Sequence, residues 1–549
     1  MDLQESLAAY EHKLPPFPQQ AEALHASLSK RVFALFMEQG TGKSKVIIDT
    51  TAIHYTRGNI NGLLIVAPMD VHEQWVIEQI PLHLPDRIRT RAVVWRASSA
   101  KSVREAQSLV KQPLPDVLSI LSMNHESMAT DKGRKLAVAF CKRYKTLLTL
   151  DESDIAIQTP RAARTRTLVH TVGPLAHMRR ILTGTPAEDP FELYSQFNFL
   201  DPRIHGYDNY LAFKHRYALW EKNIVRAKAA NPDGKRPLVE YESLIGYQNL
   251  PELHAKLAPF TYRKRKADCL DLPPKIYSTR TVRLSPAQKA IYDELKEHGI
   301  LLLREAQADP DTDNRRNHAP LGALDVLKMQ DATEDDLLTR LASPQKRTTT
   351  AIKLTLLLRL QQVLGGFLTD DIGMTRPIDG ESPNPRQIAC QSVLRGALQG
   401  PAKVIIWACF RAEMAALKGL CRSWFPDVST EAVYGGTHSR TNKQDVIAAF
   451  KDPNDPLRIL ISHEKSLGVG MNFTSAQTEI FYSSGASGRS RIQAEDRCHR
   501  IGQTGCVNIY DFDALDSPLD KRLAAFRSGK LDFNATVMSW SADDLKEVI

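Results

Sequence analysis

Two short stretches carry residue types that together handle a polyphosphate. The first is Met37-Glu38-Gln39-Gly40-Thr41-Gly42-Lys43-Ser44, set between the apolar run Val32-Phe33-Ala34-Leu35 and the apolar-periodic Val46-Ile47-Ile48. It reads as strand, glycine loop and helix. Gly40 and Gly42 let the backbone curl around Thr41 so that its N–H groups face phosphate oxygens, while Lys43 supplies a cation and Ser44 a hydroxyl for Mg2+. The helix that follows points its dipole at the same anion. The strict pattern has glycine at the first of these positions, where Met37 stands here. The second stretch, Asp151-Glu152-Ser153-Asp154, ends the apolar run Leu147-Leu148-Thr149-Leu150 and is a Walker B signature. Asp151 would hold Mg2+ through water, and Glu152 would orient and deprotonate an attacking water. Upstream, Pro15-Pro16-Phe17-Pro18-Gln19-Gln20 forms a proline-stiffened entry to a helix. A glutamine amide there, of Gln19 or Gln20, matches the donor and acceptor edge of adenine; the alternative is an exposed helix-start residue.

The elements that must position these groups follow from hydrophobic patterning. Short apolar runs at Leu63–Ala67, Ala92–Trp95, Val117–Leu121, Leu147–Leu150 and Arg180–Leu182 alternate with helix-compatible sequence. That alternation predicts an α/β, doubly wound parallel sheet presenting its ligands at the carboxyl edge. A second set recurs at Val404–Trp407, Leu457–Ile461, Glu479–Tyr482 and Val507–Tyr510, without a phosphate loop. Between the sets, residues 203–262 read as helical and basic, with Lys214, Arg226 and Lys228. A compact basic run, Tyr262-Arg263-Lys264-Arg265-Lys266, then precedes a rigid linker, Leu272–Lys275. Such a run is either a solvated charged face or a set of phosphate contacts. Polar intervals at 304–318 and 343–350 read as exposed loops within a helical insertion.

Bulk properties narrow the class. At 549 residues the chain exceeds what one hydrophobic core supports, so two large domains are expected. A formal charge of +9, from 72 basic and 63 acidic residues, is a mild excess that favours an anionic partner. Seven cysteines without a Cys-x-x-Cys pair indicate neither a disulfide framework nor a zinc site and fit a reducing cytoplasm. The first residues lack a leader pattern, and no apolar run approaches a bilayer span, so neither export nor a membrane role is expected.

The stretch Gln493-Ala494-Glu495-Asp496-Arg497-Cys498-His499-Arg500-Ile501-Gly502-Gln503 closely resembles motif VI of the Swi/Snf-type DNA translocases of helicase superfamily two. The resemblance runs from Pro18 to about residue 512. It passes in family order through 37–44 (motif I), 64–75 (Ia), 151–154 (II), 182–186 (III), 403–408 (IV) and 466–472 (V). It implies two RecA-like lobes with helical insertions and, as cofactors, ATP and Mg2+. By residue, it implies that Gln20, Gly470 and Gln493 join the phosphate loop in binding ATP, that Thr183 and Thr185 couple the lobes, and that Pro68 meets DNA. Lys214, Arg263, Lys264, Arg265 and Lys266 are further DNA candidates. Arg497 and Arg500 would be arginine fingers, making hydrolysis depend on lobe closure. Their spacing of three allows both on one helix face, with Gln493 about two turns from Arg500. Three departures stand out: Met37; Asp154, where the family more often has histidine; and Ala486-Ser487-Gly488 in place of an aromatic-Asn-Pro piece.

The expected organisation is a first lobe at 1–202, a helical insertion and basic linker at 203–275, a second helical insertion at 276–390, a second lobe at 391–515 and a helical tail at 516–549. The function the resemblance implies is ATP-driven movement on double-stranded or branched DNA, in a minimal bacterial or phage form. The expected setting is the cytoplasm of a bacterium or a virus-infected cell, as a monomer, with a protein partner that targets the motor. The rival classes are a strand-separating DNA or RNA helicase and a nucleotide-gated clamp without useful hydrolysis.

Overall fold

Runs such as Leu63-Leu64-Ile65-Val66-Ala67 are buried at every position, the pattern of a parallel strand covered on both faces. The computed structural model describes residues 10–528 apart from 70, 188, 227–237, 309–348, 370–373, 435–439, 465 and 468–470, with side chains left out also at 223–226, 238–243, 302–308, 349–352 and 440–442. Two compact units divide the chain: 1–271 with 468–470, and 272–467 with 471–549. No helix among the described residues is long and apolar enough to cross a membrane.

The first unit holds strands β1 (Val32–Met37), β2 (Gly62–Ala67), β3 (Thr90–Val94), β4 (Leu118–Asn124), β5 (Thr146–Asp151), β6 (Met178–Leu182) and a hairpin of β7 (Ala218–Arg226) and β8 (Leu238–Tyr247). With β9 (Thr261–Lys264) they form an all-parallel sheet, ordered β3-β4-β2-β5-β6-β1-β9, and the separate antiparallel hairpin. Alternate residues of β1 feed separate cores: Ala34 and Phe36 pack into one, Phe33, Leu35 and Met37 into the other. Register places Asp151 opposite Leu182 and Leu182 opposite Leu35. The ends of β5, β6 and β1 therefore lie side by side at the carboxyl edge, where α/β sheets gather ligands.

The second unit holds β10 (Lys275–Val282), β11 (Phe367–Thr369), β12 (Thr375–Pro377), β13 (Lys403–Trp407), β14 (Ser429–Val433), β15 (Leu457–Ser462), β16 (Ala476–Phe481) and β17 (Val507–Ala514). Its main sheet, ordered β10-β17-β16-β13-β15-β14, is again all parallel, and the α/β, doubly wound reading holds for both units.

The intervening segments differ from expectation. Residues 218–226 and 238–247 are strands rather than helix: the hairpin pairs Ala218 with Tyr247 through Arg226 with Leu238, contacts that local sequence does not display. The first three residues of the basic run, Tyr262–Lys264, belong to the edge strand of the first sheet, with Ala34 opposite Thr261 and Met37 opposite Lys264. Lys275, expected in the rigid linker, begins an edge strand of the second sheet, and the chain passes from the first unit to the second at 271/272. The helices Pro286–Ala308 and Thr349–Gly365 lie within 276–390, where Tyr292, Leu357 and Leu360 pack with Leu519, Leu523 and Phe526. The interval at 309–348, Lys228 and the tail beyond residue 528 lie outside the described residues.

Candidate active site

The phosphate loop joins β1 to helix α1 (Lys43–Thr56), with Gly40 and Gly42 at φ 82° and 93°. Met37 has no such requirement. Its side chain is fully buried in the core, and its carbonyl accepts from Lys43 Nζ at 2.7 Å. The opposite flank is braced by β9: Glu38 N–H donates to the Lys264 carbonyl at 3.0 Å, and the Glu38 carboxylate accepts from Lys266 N–H at 2.9 Å. Gln20 reaches the loop from the other side, its Nε2 donating to the Thr41 carbonyl at 3.4 Å. Its Oε1 accepts from Phe17 N–H at 2.9 Å, capping its own helix. The amide that sequence alone offers to adenine is thus committed to protein here.

Across the sheet edge, Asp151 is held on both oxygens, Oδ2 by Trp75 Nε1 at 2.8 Å and Oδ1 by Glu152 N–H at 3.1 Å. Burial raises its pKa, and the Lys43 ammonium opposes the rise, so cation and carboxylate share one electrostatic neighbourhood. The Asp151 carbonyl is paired with His125 Nε2 at 2.8 Å. Glu152 adopts φ 46°, a left-handed backbone that a non-glycine residue takes at a cost. Its carboxylate is buried and accepts from Gln39 Nε2, a loop residue, at 3.3 Å. Ser44, half-buried in the first turn of α1, and Asp151 offer only oxygen ligands, a donor set that fits a hard cation such as Mg2+.

The loop after β6 closes this edge. Thr183 N–H donates to the Leu35 carbonyl at 3.2 Å, and Thr183 Oγ1 accepts from Thr185 N–H at 3.1 Å. Thr185 Oγ1 donates to Asp154 Oδ2 at 3.1 Å, so the aspartate in the usual histidine position still ties the two loops. A Cβ on Gly184 would stand 3.1 Å from Gln39 N, which accounts for glycine there.

In the second unit, motif VI departs from expectation. Its helix, Gly488–Glu495, ends before either arginine, and Arg497 and Arg500 lie in the turns that follow rather than on one helix face. Lys275 Nζ draws Glu495 at 3.0 Å and Asp496 at 3.3 Å, and Arg491 binds Glu495 and Asp511. Arg497 is buried, its Nη2 donating to the Glu464 carbonyl at 2.5 Å, and burial pushes its pKa down to about 10. Arg500 is half-buried, its Nε donating to the Asp496 carbonyl at 2.7 Å. Gln493 Nε2 is buried without a hydrogen-bond partner among the described residues. Gly470 lies outside the described residues. The Ala486–Gly488 segment runs close to the helix Leu519–Arg527: a Cβ on Gly488 would clash with the Arg527 carbonyl.

The DNA candidates do not form a free basic strip. Pro68 is buried, with Met69 exposed beside it. Lys214 Nζ sits among aromatic rings, 4.9 Å from Trp220, 5.1 Å from Phe191 and 5.6 Å from Tyr210. Lys264 pairs with Glu22 at 3.0 Å, Arg265 pairs with Asp268 at 2.9 Å, and Lys266 is buried. Arg263 is exposed on β9. Residues the sequence reading did not assign are Gln39, Trp75 and His125. Only proximity to the loop could have pointed to Gln39, whereas Trp75 and His125 reach Asp151 from 76 and 26 residues away.

Comparison with known proteins bears on this geometry. The chain is similar to the TATA-binding protein-associated factor MOT1 of Saccharomyces cerevisiae, 27% identical over 66% of this chain and 19% of the relative. It is also similar to the chromatin structure-remodeling complex subunit snf21 of Schizosaccharomyces pombe, 23% identical over 93% of this chain and 38% of the relative. An uncharacterized ATP-dependent helicase, MG018, of Mycoplasma genitalium is 23% identical over 64% of this chain and 27% of the relative. The chain therefore spans between 19% and 38% of the length of these relatives. Among solved structures, the Sulfolobus solfataricus SWI2/SNF2 ATPase core in complex with dsDNA aligns over 100% of this chain and 99% of its own, at 19% identity and a TM-score of 0.38. The helicase conserved C-terminal domain matches residues 387–502. The SNF2-related domain matches residues 26–337, more than half the sequence, and the chain belongs to the SNF2-related family.

Proposed function

We propose that the protein is a DNA-dependent ATPase that moves along double-stranded DNA. The observation that carries this reading is the convergence of Lys43, Asp151 and Glu152 on neighbouring strand ends, with Gln39 joining the phosphate loop to the Glu152 carboxylate. Lys43 leaves the Met37 carbonyl to meet the β- and γ-phosphates of ATP, the backbone N–H groups of the loop hold the polyphosphate, and Glu152 orients and deprotonates the attacking water. Ser44 and Asp151 hold Mg2+, which when bound offsets the negative charge of the transferring phosphoryl group. Arg497 and Arg500 donate positive charge to that group.

Family membership supports a motor. The partners proposed for this chain are duplex or branched DNA and a protein that targets the motor. Displacement of bound protein, branch migration and fork remodelling are the work such movement performs. ATPase rates with matched duplex, single-stranded and forked DNA and with RNA test this reading, together with displacement of a triplex-forming third strand from a blunt duplex. Stimulation by duplex DNA and ATP-dependent loss of the triplex strand are expected. Unwinding of a tailed, unbranched duplex without triplex displacement would assign the protein to the strand-separating class.

A further inference from the structure

Arg497 is 2% exposed, yet its Nε and Nη1 have no hydrogen-bond partner among the described residues. Apart from the Nη2 bond to the Glu464 carbonyl, it rests on a ring: the guanidinium carbon lies 5.0 Å from the centroid of Trp407. A desolvated guanidinium on an indole face is the strong form of this contact. Trp407 is itself fully buried at the end of β13, and its Nε1 donates to Glu479 Oε2 on β16 at 2.7 Å. Register explains the meeting. Ile405 stands opposite Glu479 and Trp407 opposite Phe481, so Trp407 and Glu479 are diagonal neighbours on one sheet face.

A glutamate at a fully buried strand position is costly, and an apolar residue there would pack at less expense. We infer that Glu479 is a positioning residue for Arg497: by holding the Trp407 indole N–H, it fixes the ring face on which the guanidinium rests. The groups that face this carboxyl are Lys275, Glu495, Arg497 and the Cys498 thiol. Burial raises it to about 7, so both protonation forms are present near neutrality. Either form accepts the indole N–H, which makes the oxygen acceptor, not the charge, the essential feature. The inference rests on Arg497 serving as a charge donor to the phosphoryl group.

The test is steady-state ATP hydrolysis with duplex DNA, with thermal unfolding as the check on folding. Glu479→Leu leaves the indole N–H buried and unpaired, and is expected to lower kcat roughly 10- to 100-fold with the ATP KM unchanged, the scale of a misplacement of about 1 Å. Glu479→Gln keeps an oxygen acceptor and should retain kcat within about twofold. Trp407→Phe keeps a ring but loses its donor, and should match Glu479→Leu. The double variant should lose no more than either single one. Should Glu479→Leu fail to fold, Glu479→Gln against Trp407→Phe tests the same bond from its two ends. Arg497→Gln is measured alongside. If it loses turnover while Glu479→Leu and Trp407→Phe keep theirs, or if their two losses multiply, the positioning role is overturned and the reading of Arg497 stands. If Arg497→Gln turns over normally, both fall.

Discussion

Gly42→Ala is predicted to act through Gln20. Residue 42 sits at φ 93° before α1, where a Cβ costs about 1–2 kcal/mol. The same Cβ would stand 1.9 Å from Gln20 Nε2 and 2.8 Å from Gln20 Cδ, so the amide must leave. Because the clash is with the far end of a flexible side chain, the movement itself is easy. What disappears is what the amide holds, a 3.4 Å bond to the Thr41 carbonyl and a 2.9 Å bond from Phe17 N–H. Two such bonds, the longer one at the weak end of the range, sum to about 1–2 kcal/mol. The substitution should therefore cost the phosphate-facing loop about 2–4 kcal/mol with Gln20 present and about 1–2 kcal/mol with Gln20 removed. Binding of a fluorescent ATP analogue to wild type, Gln20→Ala, Gly42→Ala and the double variant closes the cycle. Gln20→Ala alone should weaken binding about 5- to 20-fold, and in the Gly42→Ala background should change it little. Strictly additive losses would show that Gln20 does not act at residue 42.

Three further outcomes are expected. Glu152→Gln should bind ATP as wild type does and lose hydrolysis, whereas Lys43→Ala should lose turnover outright; comparable hydrolysis in Glu152→Gln would remove Glu152 from its role. Arg500→Ala, and to a lesser degree Arg497→Ala, should leave ATP affinity nearly intact while cutting turnover by about 10³-fold or more. Loss of DNA binding at unchanged basal hydrolysis would instead place that arginine on the DNA track. DNA affinity should fall steeply with salt and vary little with sequence, because it rests on phosphates. A flat plot of log affinity against log salt, from equilibrium titrations, would contradict this.

The parts of the site that were legible in the sequence are those fixed within a few residues of a strand end. Lys43 follows β1, and Asp151 ends β5; each needs only its own strand and loop to be placed. The parts that were not legible depend on distant pairing. Two of the four residues of β9, Arg263 and Lys264, are basic, so only their bonds to β1 make the segment a strand. The helix that ends at Glu495, before either arginine, carries no stop signal in its sequence, where neither glycine nor proline stands between Asp496 and Ile501. The pairing of 218–226 with 238–247 is likewise a ladder that no local periodicity announces.

The departures from the motif pattern show which atoms each position supplies. At residue 37 the loop uses a carbonyl, which Met37 provides as well as glycine would, and the side chain adds to the core beneath the loop. At residue 154 the requirement is a partner for the Thr185 hydroxyl, and a carboxylate meets it at 3.1 Å by accepting. This assigns the donor: the Thr185 hydroxyl hydrogen points at Asp154 and is unavailable to any other acceptor while that bond lasts. Thr183 Oγ1, by contrast, accepts from Thr185 N–H, which leaves its own hydrogen to donate elsewhere. The two threonines of one loop are therefore not interchangeable. Coupling between the two carboxyl-edge loops runs through Thr185, and Thr183 fixes the turn that brings Thr185 within reach of Asp154.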